Sequence, residues 1–203
     1  LTLPASTPVD VQLDNGDVAI AGWKADVAIH TRHGTISADR IQGAVDVTGG
    51  GSDVAVSNIT GAVTLHGAFF GRLSFRNCAQ SVHIRTDPGP GNTDIGLASL
   101  AGGLELDPGR ITMDRVQDAE VSTRDKAVDI DGFSGPLDVS TGNSPVAATA
   151  AQPVAAPINI TDRNADITLT LPPASVFQLH VEIHRGRVTN DFEGPEVPGG
   201  APV

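Results

Sequence analysis

The feature that most constrains the fold of this chain is an internal repeat. Three consecutive blocks of 18 residues, 9–26, 27–44 and 45–62, open on the triplets VDV, VAI and VDV. Later blocks of 16 to 22 residues keep the same form as far as residue 192. A fixed period of this kind is typical of proteins in which one short structural unit stacks on the next.

Each block contains two short segments in which apolar and polar residues alternate, separated by turns that contain Gly, Asn or Asp. Alternation with a period of two predicts strands with one side buried. Predicted inward pairs of the first strands include Val27/Ile29, Val45/Val47, Val63/Leu65, Val82/Ile84 and Leu104/Leu106. Those of the second strands include Ile36/Ala38, Val54/Val56, Leu73/Phe75, Ile95/Leu97 and Ile111/Met113.

A further apolar position follows three residues after each second pair and is predicted to complete the core. It is occupied by Trp23, Ile41, Ile59, Cys78, Leu100, Val116, Phe133 and Ala151. A single block cannot bury these positions, whereas stacked blocks form continuous apolar columns. Trp23, near the N-terminal end, is expected to close the core there.

These patterns predict an all-β, single-domain parallel β-solenoid (β-helix) of about ten rungs. The repeat domain covers residues 1–192, with residues 1–8 as an incomplete first rung or a cap. Residues 193–203 are predicted to be a flexible tail or linker. The alternative is an antiparallel β-sandwich; the Asn15-Gly16 pair fits its hairpin turns, but a sandwich gives no reason for an 18-residue period.

Composition limits the classes of partner. The net charge of −11 and pI near 4.7 argue against nucleic acid and against anionic lipid headgroups, since both repel an acidic protein. A single cysteine, Cys78, excludes an internal disulfide and a cysteine-based zinc site. It falls in the apolar column and is therefore predicted to be buried and unreactive.

The stretch TGGGSD at residues 48–53 has the appearance of a phosphate-binding loop. It lacks the Lys-Ser/Thr pair of such loops, and Val54 and Val56 begin another strand at once, which leaves no helix N-terminus. The stretch aligns with the turns TRHGT and LDNGD of neighbouring blocks. We interpret it as a corner of the solenoid.

The best metal candidates are weak: His180, Glu182 and His184 alternate on one predicted strand. A solvent-facing strand is the simpler interpretation. His30 and His66 share an outward column but are separated by Thr48, about 10 Å apart by strand stacking. Neither group predicts a bound ion.

The segments Asp14–Asp17 and Asp129–Gly132 contain fragments of calcium-loop patterns, but Asx turns explain them more simply. No nucleophile elbow or catalytic triad is evident, and no cofactor is predicted. Phe69-Phe70 is the adjacent aromatic pair of the chain. One of the two is expected to point outward as an exposed contact.

The iterated V-x-V-x-T-x-x-G-x-I form, seen in VAIHTRHGTI, LDVSTGNSPV and INITDRNADITLTLP, resembles the bacterial DUF4097 or toastrack adhesin-like domains. These are related to the auto-transporter adhesin head domain. The resemblance extends from about Val9 to Phe192. It implies an extracytoplasmic module on the periplasmic side or cell surface, associated with envelope stress, and it implies no catalytic residue.

The sequence thus leads to the expectation of a non-catalytic, extracytoplasmic, adhesin-like or scaffold domain. Its expected partner is a protein or another component of the cell envelope, with membrane tethering by segments outside these residues. The alternative is a β-helix protein that binds or cleaves polysaccharide, which predicts clustered outward Asp, Glu and Arg. A third hypothesis is self-assembly through exposed end strands; the oligomeric state stays open.

Overall fold

The computed structural model describes residues 4, 6–51, 53–86, 93–177 and 179–183, with side chains as far as residue 177. Within these ranges the chain forms strands and no helix. They build a parallel β-solenoid of about nine turns with a spacing of about 18 residues, which confirms the predicted fold class. The strands are β1 (Val9–Asn15), β2 (Val18–Ala21), β3 (Val27–His33), β4 (Ile36–Ile41), β5 (Val45–Gly51), β6 (Val54–Ile59), β7 (Val63–Phe69), β8 (Leu73–Cys78), β9 (Val82–Thr86), β10 (Thr93–Leu97), β11 (Ser99–Leu106), β12 (Arg110–Thr123), β13 (Ala127–Ser140), β14 (Val146–Ala150), β15 (Ile158–Asp162), β16 (Ile167–Thr170) and β17 (Leu179–Ile183).

The N-terminal part of the solenoid, as far as Thr86, consists of two columns of strands. β1, β3, β5, β7 and β9 form the first column, and β2, β4, β6 and β8 form the second, all paired in parallel. The register advances by one repeat per turn, so that Val27 lies between Val9 and Val45. Like residues therefore stack on like residues at about 4.8 Å.

The core lies between the two columns, where the apolar residues of each alternating strand point inward. Ile29, Val47 and Leu65 of the first column are fully buried, and Phe75 is fully buried in the second. Burial of each such side chain contributes about 1.5–3 kcal/mol. Because every turn supplies the same positions, the core continues from turn to turn without a gap.

The additional apolar position lies three residues after the second-strand pair because the backbone bends there. Arg40, Asn58 and Asn77 all adopt left-handed conformations, with φ of 53°, 57° and 50°. One left-handed residue bends the strand, and the next residue faces inward again. Ile41, which follows Arg40, is buried in this way. Asn adopts this conformation more readily than most non-glycine residues.

One turn of the solenoid runs backwards. After β9 the chain returns as β10, which is antiparallel to β9, and continues into β11, which is antiparallel to β8. β12 then reverses direction again and is antiparallel to both β10 and β11. We call β10 and β11 the reversed turn; residues 87–92, which connect β9 to β10, are outside the described residues.

The reversed turn corrects the sequence-based column assignment in this region. Leu104 and Leu106 were expected in the first column but lie in the second, where Leu104 is opposite Phe75. Ile95 was expected in the second column and is opposite Ile84 in the first. All these residues are buried as expected. Apolar alternation determines which side of a strand is buried, but it is the same for both strand directions.

Parallel stacking resumes after the reversed turn. β12 and β13 each have 14 residues and extend through both columns, and they pair in parallel. β14 and β16 continue the second column, while β15 and β17 continue the first. Arg115 and Gly132 supply the left-handed corner, with φ of 51° and 77°.

The ends of the stack are less well buried than its middle. Trp23 is partly buried against the core, and its Nε1 donates a hydrogen bond of 2.8 Å to the carbonyl oxygen of Thr7. Ala151 was expected in the core but is exposed, because a register shift places Ala150 opposite Phe133. The predicted tail, 193–203, lies outside the described residues.

Candidate functional site

The TGGG stretch is part of a paired strand. Gly49 and Gly50 on β5 lie opposite Gly67 and Ala68 on β7, so their backbone belongs to the parallel ladder. Gly49 has a φ of 129°, and a Cβ there would collide with the carbonyl oxygen of Thr31 on the preceding turn. Gly49 is therefore needed for close stacking of β5 on the preceding turn. The sequence predicts a turn here, and the structure corrects this, because the whole of β5 pairs with β7.

The three glycines carry no side chains, and a surface depression lies beside them. It has a volume of about 460 Å³ and is lined by Arg32, His33, Gly49, Gly50, Gly51, Ala68 and Phe70. We call this depression the glycine groove. Its floor is bare backbone, while side chains from the turns before and after β5 form its two walls.

The walls of the glycine groove differ in chemistry. Phe70 is 79% exposed, which makes it one of two large apolar side chains exposed among the residues whose burial is described. Its neighbour Phe69 packs partly against the core. On the opposite wall the side chain of Arg32 is 77% exposed, and its Nε lies 3.7 Å from Oδ1 of Asp14. An exposed ion pair of this kind contributes little to stability, so Arg32 can exchange its partner.

The histidines do not assemble into a metal site within the described part of the chain. His30 has its Nε2 3.7 Å from Oδ1 of Asp10, and His83 bonds Asp94 at 2.9 Å. His66 occupies the same column as His30 with Thr48 between them, as the repeat predicts. Of the weak metal candidates, His180 and Glu182 lie on β17, whose side chains are not described, and His184 is outside the described residues.

Aspartates at the turns are used for stacking. Oδ1 of Asp17 accepts hydrogen bonds from the backbone N–H and the hydroxyl of Thr35 on the next turn, at 2.9 and 2.8 Å. Oδ1 of Asp39 accepts from Ser57 and Asn58 in the same manner, each at 2.8 Å. Hydrogen bonds from Thr35 lower the pKa of Asp17, and those from Asn58 and Ser57 lower the pKa of Asp39.

Both calcium-like segments have structural roles. Asp17 of the first segment joins two turns, as described above. In the second, Oδ2 of Asp129 pairs with Arg110 at 3.1 Å, and Gly132 is a left-handed corner residue.

Cys78 is buried, and desolvation raises the pKa of its thiol to about 11. A thiol of this kind is a poor nucleophile at neutral pH.

A second group of charged side chains surrounds the reversed turn. Arg76 on β8 pairs with Glu105 on β11, and Arg72 pairs with Asp107, both at 3.1 Å. The adjacent groove has a volume of about 460 Å³ and is lined by Arg76, Asn77, Gly102, Gly103, Glu105, Thr112, Asp114 and Arg115. The charged side chains of this groove are paired with one another, as Arg76 with Glu105 and as Arg115 with Asp114.

Two buried ionisable residues were missed by sequence reasoning. Lys126 is only 7% exposed, and its Nζ donates hydrogen bonds of 2.8 Å to the carbonyl oxygens of Asp107 and Pro108. Desolvation lowers its pKa. Asp162 is 1% exposed; its Oδ1 accepts from the N–H of Asn164, while Oδ2 has no hydrogen bond. Asp162 continues the inward alternation of β15, and Lys126 precedes that of β13 in the same phase; this alternation was the available signal.

Among the described residues, the structure contains no helix of the length and apolar character needed to cross a membrane. Comparisons of the chain with protein-family models, curated proteins and solved structures returned no match. The arrangement of its own residues therefore carries the functional argument.

Proposed function

We propose that this protein is a non-catalytic, adhesin-like scaffold module that acts outside the cytoplasm, in the periplasm or at the cell surface. The observation that carries the proposal is the use of its acidic side chains. Asp17 and Asp39 accept hydrogen bonds from the following turn, and their pKa values are lowered. A general acid needs a raised carboxyl pKa, which is the opposite environment.

The charged pairs around the reversed turn support the same proposal. Arg76, Glu105, Arg72 and Asp107 are matched across strands. Each of these two carboxylates is therefore engaged by an arginine rather than left as an unpaired acid or base. The sequence resemblance to toastrack adhesin-like domains supports the extracytoplasmic location and an association with envelope stress.

A panel of polysaccharides and carboxylic esters tests the non-catalytic part of the proposal. We expect no release of reducing ends or acid above that of a heat-unfolded sample. Turnover that is specific, saturable and lost on substitution of an outward carboxylate would overturn it. Fractionation of the source cells tests the location, and recovery of the protein in the cytoplasmic fraction alone would contradict it.

A further inference from the structure

We propose that the glycine groove is a binding site for a saccharide that carries isolated carboxylates, namely a polymer in which uronic acid units alternate with neutral sugars. This inference rests on the proposed function, since it names the partner of a non-catalytic adhesin-like surface. The groove offers a narrow backbone floor, the exposed ring of Phe70 and the charge of Arg32.

The shape fits a narrow chain. β5 contributes only backbone at Gly50 and Gly51, while the walls come from the turns on either side. Two strand spacings separate these turns, so the groove is about 10 Å wide between backbones. A bound chain would lie against the backbone of Gly50 and Gly51, which carry no side chain.

The aromatic wall provides an apolar platform. The ring of Phe70 is 79% exposed, and its backbone N–H donates to the carbonyl oxygen of Gly51 at 3.2 Å, which fixes the start of the side chain at the groove. An exposed ring at this position can contact a ligand in the groove without displacing any core side chain. The C–H face of a pyranose ring matches it in size and apolar character.

The wall opposite Phe70 determines which charge on the ligand the groove accepts. Arg32 and His33 are the ionisable side chains that line the groove, and both are basic residues. A guanidinium group binds a carboxylate in a two-pronged geometry, more strongly than at the 3.7 Å contact with Asp14. A carboxylate on the bound sugar would replace Asp14 as the partner of Arg32.

The net charge of −11 restricts how many carboxylates the ligand can carry. A continuous polyanion is repelled along its whole length, as nucleic acid would be. A polymer with a carboxylate on only every second sugar has half the charge per unit length of a continuous polyuronate, so this repulsion is weaker. One carboxylate can then bind at Arg32 while salt screens its neighbours from acidic groups more than about 8 Å away.

The test uses a hyaluronan hexasaccharide, the same hexasaccharide with methyl-esterified carboxyls, and hexaglutamate as an acidic peptide, each titrated into the folded protein. We expect the hexasaccharide to bind and to shift the amide NMR signals of Gly50, Gly51 and Phe70. Esterification should weaken binding about tenfold, which corresponds to one lost ion pair. Preferential binding of hexaglutamate, or equal binding of the esterified sugar, would overturn the inference.

Variants locate the site. Phe70→Ala and Arg32→Gln should each weaken hexasaccharide binding about tenfold, while Arg163→Gln, an exposed arginine outside the groove, should leave it unchanged. Circular dichroism and the unfolding midpoint confirm that each variant is folded. Absence of binding by the folded wild type refutes this inference alone. Cleavage of the sugar would instead refute the non-catalytic function on which it rests.

Discussion

The regular turns before residue 87 and the reversed turn after it bury the same kind of core with opposite strand directions. In the regular turns each residue lies over its equivalent, so Asp17 and Asp39 bond to Thr35 and Asn58 one turn later. In the reversed turn the strands meet in antiparallel register, and Arg76 on β8 pairs with Glu105 on β11. The same apolar alternation is therefore compatible with both strand directions, so the core pattern alone does not determine which one is adopted.

Both regions contain glycines that are packed too tightly for a side chain. In the regular turns a Cβ at Gly49 or Gly67 would meet the carbonyl oxygen of the turn before, and in the reversed turn a Cβ at Gly102 would meet the carbonyl oxygen of Asp114. Gly103, next along β11, has ordinary clearance, with its nearest neighbours at 3.9 Å. The demand for glycine therefore depends on the local contact, and Gly49 and Gly103 represent its two extremes.

The largest expected effect follows from this contrast. Gly49→Ala combines a left-handed backbone with a collision against Thr31, and we expect it to lower the free energy of unfolding by about 3 kcal/mol or more. Gly103→Ala is the matched control and should change it by less than about 0.5 kcal/mol. Urea denaturation measures both. Equal effects of the two substitutions would contradict the role of the close backbone contact at Gly49.

Lys126 bonds to the segment that joins β11 to β12, so a substitution there tests how much this contact stabilises the reversed turn. Lys126→Met keeps the aliphatic packing but leaves the carbonyl oxygens of Asp107 and Pro108 without their donor. We expect a loss of about 2 kcal/mol in unfolding free energy. Lys24→Met, at an exposed position of a regular turn, is the control and should be nearly neutral. If both variants unfold at the wild-type urea concentration, Lys126 does not stabilise this turn.

The ion pair between Arg76 and Glu105 provides a smaller test of the same region. Arg76→Glu places like charges on adjacent strands and should cost about 0.5–1 kcal/mol. The double variant Arg76→Glu with Glu105→Arg should recover most of this loss at low salt. A thermodynamic cycle over the four proteins measures the coupling. Coupling of zero at low salt would show that surface charge does not distinguish the reversed turn.

Acid stability gives the smallest effect and probes the regular turns. The pKa of Asp39 is lowered by the hydrogen bonds from Asn58 and Ser57, so the folded pKa is below the unfolded value of 3.8. Its contribution is therefore complete above that value and is lost as the pH falls through the folded pKa. Asp39→Asn should flatten the pH dependence of the unfolding midpoint below about pH 4. An unchanged slope would argue against this role.

Much of the fold could be predicted from the repeat, because burial follows directly from apolar alternation. Ile41, Ile59 and Phe133 are buried at the positions that the repeat indicates. The direction of β11 and β10, which contain Leu104 and Ile95, could not be predicted, since the alternation of apolar residues is identical in parallel and antiparallel strands. It depends on turns such as 107–109, which Lys126 and Arg72 hold through contacts across the fold.

The candidate site was only partly accessible from the sequence. Phe69-Phe70 was recognised as a source of an exposed ring, and the structure places Phe70 outward. Its proximity to Arg32 depends on the stacking of β3, β5 and β7, which requires the register between turns. The glycines are predicted to form a turn, whereas the structure makes Gly49, Gly50 and Gly51 the end of a paired strand, and the groove beside them was not anticipated.

A cysteine pair tests whether the parallel solenoid contains one reversed turn. Glu105 is opposite Ser74 on β8 in the structure, whereas uninterrupted parallel stacking would place it beside His83. Cys78 is buried with a raised thiol pKa and does not compete for oxidation. We expect a disulfide to form rapidly in the variant with Ser74→Cys and Glu105→Cys, and not in that with His83→Cys and Glu105→Cys. The opposite result would contradict the reversed turn.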